Sequence, residues 1–372
     1  MLRILTFALF FALPVILFFG SLFSPDREYS ERENRSLAQF PKLSTVSLST
    51  GEFMTRFENY MSDQVIFREQ IVSLKSTAER LMGKTEQNGV YIGKDGWLFE
   101  KPASYNQETV SKTVSAASAF CSDCGIKNQL FVLVPNSTSV VTDKLPSHFP
   151  ALSQEESIKK IYSEMPDNIK CLDAYGLMQE SEEKENLFYK NDHHWTTPGA
   201  KLVFDGIAAE WKFDKSVKYT QYRLSDSFYG TLASSSGIKG TPDVIDAIIP
   251  ENSAGTYIVQ NTDEMTKSTS LFYTDRLEKS NQYEVFAGGN YSKLVITTTA
   301  DTENRLLIFK DSYANCMLPM LTPHFSKIVV IDARYYSDDI KSLVKDEGFT
   351  HMMILYNANT FLADTSLKDT LG

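Results

Sequence analysis

"RLLIFKDSYANCMLPML", residues 305–321, runs from an unbroken apolar stretch into a polar pair, Asp311-Ser312, and then into a helical pattern starting at Tyr313. An apolar run without alternation marks a strand covered on both faces, which is the habit of parallel sheets. The same texture recurs in "KIVVID" (327–332) and "HMMILY" (351–356), with helix-length segments between them. The C-terminal third therefore reads β-α-β-α-β and requires a doubly wound parallel sheet. "QLFVLVP" (129–135), preceded by a helical stretch around 108–120, adds a further strand.

This reading puts Ser312 on a strand-to-helix turn. In an open α/β sheet the carboxyl ends of the strands line the ligand crevice, and the following helix N-terminus faces any developing negative charge. A serine placed there suits acyl transfer. The plainer reading is that Asp311 or Ser312 caps the helix, both being favoured cap residues. The Gly-x-Ser-x-Gly elbow is absent, so the serine requires partners from elsewhere.

"FYKNDHHWTTPGAKLVF" (188–204) offers them. Asp192 and His194, two apart on an extended turn, share one side of the chain, while His193 points elsewhere. A histidine that takes a hydroxyl proton and a carboxylate that orients it are what a serine nucleophile requires. Thr197 and Pro198 read as the N-cap and first turn of the helix that follows. Two competing readings stay open at this stage. Asp192, His193 and His194 also form a plausible ligand set for zinc or another divalent ion, and a hydrogen-bonded polar turn explains them without chemistry.

Two further strand ends carry candidate residues. Asn357, after "HMMILY", is a candidate oxyanion donor beside the Ser312 N–H, or simply a turn asparagine. Arg334, Tyr335 and Tyr336 follow "VVID"; they suit stacking or hydrogen bonding to a sugar, or a structural pairing of the arginine with a carboxylate.

The remainder of the chain sets the context. Its 372 residues, 42% hydrophobic and 23% charged, describe a folded protein able to bury a large core. A net charge of -10 and the lack of a Lys/Arg run exclude a nucleic-acid footprint. Residues 4–23, "ILTFALFFALPVILFFGSLF", carry no charge and are long enough to cross a bilayer. Arg3 precedes them and Asp26 and Glu28 follow, so the N-terminus is expected in the cytoplasm and everything else outside. A cleaved signal peptide competes with this anchor, but the run exceeds a usual h-region and no A-x-A site follows.

The expected organisation is an anchor (1–24), an extended stalk (25–50), an amphipathic helical segment (51–84) and an α/β domain (85–372). "VYIGKDGWLFE" should open that domain with a hairpin, and residues 219–300 form an insertion of loops and antiparallel strands. Within the helical segment, Phe53, Phe57, Tyr60, Met61, Ile71, Leu74 and Leu81 recur at spacings near three and four, predicting a stripe that faces the core. Of the four cysteines, Cys121 and Cys124 form a single C-x-x-C, read as a local disulfide or plain buried thiols.

"NDHHWT", "LLIFKDSYANCMLPML" and "VVIDARYY", in that order, resemble the DHHW proteins of Gram-positive bacteria, relatives of the alginate O-acetylation proteins of the SGNH hydrolase superfamily. "SERENRSLAQFPKLS", "VYIGKDGWLFE", "FYGTLASSSGI" and "YEVFAGGNYSKLVITT" extend the resemblance along most of the chain. It implies a three-layer α/β/α domain with a parallel sheet in circularly permuted order, since Asp-x-His precedes the serine. The family's catalytic residues map onto Asp192, His194 and Ser312, and by topology the superfamily's oxyanion asparagine maps onto Asn357. Lys310-Asp311-Ser312 departs from the usual Gly-Asp-Ser.

The expected activity is an extracytoplasmic, membrane-anchored O-acetyltransferase acting on a cell-surface or exported polysaccharide, with no cofactor and no metal. Its acetyl donor partner, implied by the resemblance, is a membrane-bound acyltransferase. A carbohydrate acetyl esterase using the same triad, and a non-catalytic glycan-binding or scaffold protein of the cell envelope, are the alternatives.

Overall fold

The computed structural model describes the backbone of residues 2–30, 35–251 and 256–372. Residues 31–34, within one of the stretches that carry the resemblance, lie outside the described residues. Eight strands form the central sheet: β1 (Asn128–Val134), β2 (Lys170–Leu172), β3 (Tyr257–Asn261), β4 (Thr266–Ser268), β5 (Lys293–Thr298), β6 (Arg305–Lys310), β7 (Lys327–Ile331) and β8 (His351–Asn357). Their spatial order is β4-β3-β5-β7-β6-β8-β1-β2.

The expected parallel sheet holds only from β7 to β2, where β7, β6, β8, β1 and β2 pair in parallel. As a correction, the sheet is mixed. β5 pairs antiparallel with β7, and β3 with both β5 and β4. These three strands come from the 219–300 insertion and its continuation, where no helical crossover separates them, so they can only run back and forth. The burial of β5 alternates, as befits a strand covered more fully on one face.

Period-two alternation along the parallel strands sorts their side chains into two cores. Leu306 and Ile308 join Leu130, Val132, Met353 and Leu355 on one face, and Leu307 and Phe309 join Phe131, Leu133, Met352 and Ile354 on the other. The first face is covered by Ala200, Val203, Phe204 and Ile207 of one helix (Thr197–Glu210) and by Leu271, Tyr283 and Phe286 of the insertion. The second is covered by Val110, Val114 and Phe120 of the helix Gln107–Asp123, with Ile158, Ile340 and Leu367 from three others. This is the α/β/α sandwich, and it places Ser312, Asp332 and Asn357 at the carboxyl edge of three adjacent strands.

The hairpin expected in "VYIGKDGWLFE" forms, pairing Val90–Ile92 with Leu98–Glu100. All four cysteines are free thiols, and burial pushes Cys121 up to about 12.

Two buried histidines on the first face tie stability to pH. His324 stacks on Phe213 (4.0 Å between centroids) with Nε2 2.7 Å from the Tyr219 hydroxyl, and His351 packs against Trp211 and Phe325. Burial pushes each down to about 4, against about 6.5 for an unfolded histidine. Below about 6.5 the unfolded chain therefore binds protons that the folded chain refuses. Their contribution is whole above about 6.5, and as pH falls toward about 4 each costs on the order of 2–3 kcal/mol. Urea unfolding between pH 7 and pH 4 should show this decline, and His324→Phe should flatten part of it.

Near the N-terminus, helix α1 (Leu2–Leu22) precedes α2 (Glu52–Gln64) and α3 (Arg68–Leu81). Among the described residues no helix is long and apolar enough to cross a membrane; described side chains of α1 begin only at Phe10. Where they are described, residues on both sides of 31–34 in the expected extended stalk (25–50) bond to the end of α2. Gln64 accepts from Arg27 N–H (2.9 Å) and donates to the Arg27 and Ala38 carbonyls, while Asp63 accepts from Ala38 N–H (2.8 Å). The expected core-facing stripe is also corrected: Ile71, Leu74 and Leu81 are exposed.

Candidate active site

The "DHHW" segment is a loop closed at its base. Phe188 and Trp195 form an antiparallel bridge, Tyr189 N–H donates to the His194 carbonyl (3.3 Å) and Thr196 N–H to the Leu187 carbonyl (2.9 Å). Asp243 pins the entry, accepting from the N–H groups of Lys190 (3.0 Å) and Asn191 (2.7 Å). The exit is the helix Thr197–Glu210, whose cap is Thr196, accepting from Gly199 N–H (3.1 Å); Thr197 and Pro198 begin the helix, one residue earlier than expected. Trp195 is fully buried and its indole N–H donates to the Tyr313 carbonyl (2.8 Å), fastening this loop to the serine turn.

Asp192, His194 and Ser312 lie in one hydrogen-bonded line. His194 Nε2 is 2.7 Å from Ser312 Oγ, and Nδ1 bonds Asp192 Oδ1, which also accepts from His194 N–H (2.9 Å). With Nδ1–H donating to the carboxylate, Nε2 is free to accept from the hydroxyl. Asp192 and His194 are buried and Ser312 is half-buried, so the reactive oxygen is the part of the line that faces solvent.

Burial alone would raise the Asp192 carboxyl, but His194 and His193 beside it and the hydrogen bonds it accepts hold it well below the usual carboxylate range. Its second oxygen accepts from Thr231 N–H (2.7 Å) and Thr231 Oγ1 (3.1 Å). Gly230 makes that approach possible, since a Cβ there would overlap the Asp192 carboxylate. On the other side of the imidazole, Tyr283 stacks flat on His194, 3.7 Å between centroids and 9° between planes.

His193 does not enter the line. Its Nδ1 is 2.6 Å from Thr231 Oγ1, its carbonyl accepts from the Tyr313 hydroxyl, and burial with the neighbouring His194 lowers its pKa. Asp192, His193 and His194 offer ligand atoms within 4.8 Å of one another, which is the metal reading of the sequence. The same atoms are already committed: an ion bound there would break the bonds that join His194 to Asp192 and Ser312.

The serine turn is held by Asp311, its N-cap. Oδ1 accepts from Tyr313 N–H (3.0 Å) and Oδ2 from Asn357 N–H (2.9 Å), so one carboxylate ties the end of β6 to the end of β8. Burial raises its pKa, opposed by those two N–H groups. Ser312, first in the turn, has no intrahelical acceptor for its own N–H. Asn357 lies on the strand next to Ser312, one strand away instead of the expected two. Its side chain donates to the Val134 carbonyl (3.3 Å) and accepts from Asn359 N–H (2.9 Å), capping the helix Ala358–Ala363.

Lys310 accounts locally for the departure from Gly-Asp-Ser. It is buried, with Nζ 2.9 Å from Asn290 Oδ1 and 3.4 Å from Asp332 Oδ2; burial lowers its pKa and Asp332 opposes that. Asp332 also takes a two-pronged grip from Arg334, Nε to Oδ1 at 2.8 Å and an NH2 contact to Oδ2 at 2.6 Å. Arg334 is thus occupied by a structural pair, and its guanidinium lies 5.5 Å from the centre of the exposed Tyr335 ring. Tyr336, by contrast, is buried in the second core.

Gly230, Thr231, Tyr283 and Asn290 were not singled out from the sequence. All four lie in stretches that carry the family resemblance, "FYGTLASSSGI" and "YEVFAGGNYSKLVITT", which was the available signal.

Comparison with known proteins supports the fold and places the chain in a family. The family described as SGNH hydrolase-like domain, acetyltransferase AlgX, matches residues 90–279, a range that holds Asp192, His194 and Gly230 and ends before Ser312. AlgJ of Pseudomonas aeruginosa, a probable alginate O-acetylase, is 22% identical over 183 residues, 47% of this chain and 46% of that protein. The matched region thus spans about half the length of that relative. A DHHW family protein from Eubacterium siraeum superposes with a TM-score of 0.64 at 21% identity, covering 76% of this chain and 95% of that one. PatB1 of Bacillus cereus, solved with a sulfonyl adduct, gives 0.64 at 21%, covering 74% and 97%. At such identities these two structures speak for the fold. With more than half of its length matched, the chain belongs to the family of AlgX-type SGNH hydrolase-like domains.

Proposed function

We propose that this protein is an O-acetyltransferase that modifies a cell-surface or exported polysaccharide, held at the outer face of the cell membrane by residues 4–23. The observation that carries the reading is the Ser312–His194–Asp192 line, whose serine is its solvent-facing end. The family relation supports acyl transfer or ester hydrolysis, and the alginate O-acetylase relatives are consistent with a polysaccharide acceptor.

In the first half-reaction His194 Nε2 takes the Ser312 proton as Oγ attacks the acetyl carbonyl carbon of the donor. The tetrahedral oxyanion faces the Ser312 N–H and the second amide hydrogen of Asn357. Collapse breaks the bond to the donor's leaving oxygen, which receives the proton from His194, and leaves acetyl on Ser312. In the second half a sugar hydroxyl gives its proton to His194, attacks the same carbon and departs as the acetyl ester, while Ser312 Oγ recovers the proton. Asp192, held ionised, orients the imidazole and stabilises its charged form. Tyr335, exposed at the edge of the crevice, offers a ring on which a sugar can stack. Because acetyl-CoA is cytoplasmic and the site is placed outside, a membrane-bound acyltransferase is proposed as the source of the acetyl group.

Hydrolysis by the same triad differs only in its acceptor. The purified full-length protein in detergent, given an acetyl ester with and without an oligosaccharide, should form acetylated saccharide at the expense of free acetate. Acetate release that no saccharide alters would instead identify an esterase.

A further inference from the structure

Helix α3 is inside out. At 100° per residue Ile71, Leu74, Ala78 and Leu81 fall within one sector about 80° wide that faces away from the protein, and Phe67 and Met82 flank the helix at its two ends. Phe67, Leu74, Leu81 and Met82 are 64%, 73%, 85% and 78% exposed, and Ile71 42%. The opposite side packs inward through Ser76, buried, with its hydroxyl 3.4 Å from the Ser236 carbonyl. An apolar stripe of about 15 Å at 1.5 Å per residue, turned outward over about three turns and flanked by exposed Phe67 and Met82, far exceeds the scattered exposed leucines of an ordinary surface.

Its surroundings indicate what covers it. The exposed apolar surface begins at Phe67, and the residue before it is joined to the end of α1. Ile66 N–H donates to Ser21 Oγ (3.0 Å), and Gly20 lies so close to the Ile66 side chain that a Cβ there would overlap it. The described end of α1 is itself apolar and exposed, at Phe18, Phe19, Leu22 and Phe23. The two exposed apolar surfaces are therefore continuous through the Ser21–Ile66 junction. The segment 66–84 also carries four basic residues, Arg68, Lys75, Arg80 and Lys84, against two acidic ones, Glu69 and Glu79, in a chain whose net charge is -10. An apolar stripe bordered by Arg68 and Lys75, on a helix that starts at the end of an apolar segment, matches a helix lying in the headgroup region of a bilayer.

We infer that α3 is a membrane-interface helix: its Ile71–Leu81 stripe, flanked by Phe67 and Met82, inserts into the outer surface of the same bilayer that holds α1 and fixes the catalytic domain against that surface. The inference rests on the anchor reading of residues 4–23. It would keep Ser312 at a set height above the membrane, beside a donor delivered from within it.

The test uses the full-length protein in vesicles of mixed neutral and anionic lipid with brominated acyl chains. Trp97 and Trp195 are fully buried and Trp211 is half-buried in the domain, so the emission of a new tryptophan is read as the difference from the parent protein in the same lipid. Leu74→Trp and Leu81→Trp should lose emission in brominated relative to ordinary lipid, whereas Met265→Trp, 89% exposed in the insertion, should not. Phe19→Trp, within α1, reports the anchor separately. Quenching at residue 19 with none at 74 and 81 overturns the inference and leaves the anchor intact. No quenching at any of the three overturns both. Protection of residues 74 and 81 from aqueous acrylamide only when a membrane acyltransferase is co-reconstituted, without quenching by lipid, also overturns it, because the stripe would then face a protein.

Discussion

Ser312→Ala should lower the turnover of acetyl transfer by about four to six orders of magnitude, leaving donor binding and folding almost unchanged. The serine hydroxyl is the one member of the line that faces solvent, and among the described residues its only hydrogen bond goes to His194 Nε2. Removing it deletes the attacking atom and breaks no core contact, since the turn is held by Asp311 through Tyr313 and Asn357. The loss should appear in kcat with KM for the donor little changed. A variant that still acetylates saccharide at near the parent rate would mean that the group never passes through Ser312.

Gly230→Ala should have the next largest effect, from a residue that touches no substrate. Its backbone lies at φ -85°, open to any residue, so conformation is not what demands glycine. The constraint is space: a Cβ would fall on the Asp192 carboxylate. Asp192 cannot simply yield, because one oxygen is bonded to His194 and the other to Thr231. Alanine must therefore push the carboxylate off the imidazole or open the 228–231 turn. Losing the orienting carboxylate costs about 10^4 in a serine triad, so a fall of roughly two to four orders of magnitude in kcat is expected, together with about 1–3 kcal/mol of overpacking. Gly240→Ala is the control, because nothing lies within 4 Å of its Cβ position. If Gly230→Ala matched Gly240→Ala in kcat, the Asp192–His194 contact would not matter to the reaction.

These two positions also show what a sequence can disclose. Ser312, His194 and Asp192 were legible because their signals are local: an apolar strand that stops at a hydroxyl, and a carboxylate two residues from an imidazole ahead of a capped helix. The parallel strands were legible for the same reason, each being a short unbroken apolar run. Gly230 and Tyr283 left no such mark. Their roles arise only when the 228–231 turn and the 283–290 loop close over opposite sides of the "DHHW" loop, and that packing has no periodicity to read. The insertion was expected as antiparallel strands beside the sheet, yet β3, β4 and β5 join it, extending five parallel strands to a mixed eight.

The stripe on α3 was read correctly as a pattern and placed on the wrong side. Spacing near three and four reports only that one face of a helix is apolar. Whether a protein core or another apolar medium covers that face depends on the neighbours. In α3 the inward face is supplied by small polar groups such as Ser76, and the long apolar side chains point out. Lys310 illustrates a related limit. A buried lysine beside the Ser312 turn breaks the family pattern, and only the meeting of Asn290 and Asp332 around its ammonium explains how it is accommodated.

The central claim is that an acetyl group rests on Ser312 before it reaches a sugar. The direct measurement is a pulse and chase on the full-length protein: brief exposure to an acetyl ester, removal of the donor, addition of an oligosaccharide, and mass spectrometry of both the peptide bearing Ser312 and the saccharide. The predicted result is one acetyl group on Ser312 after the pulse and its appearance on the saccharide after the chase, with neither seen for Ser312→Ala. Acetylated saccharide formed while the Ser312 peptide never carries the group, or formed equally by Ser312→Ala, would contradict the account.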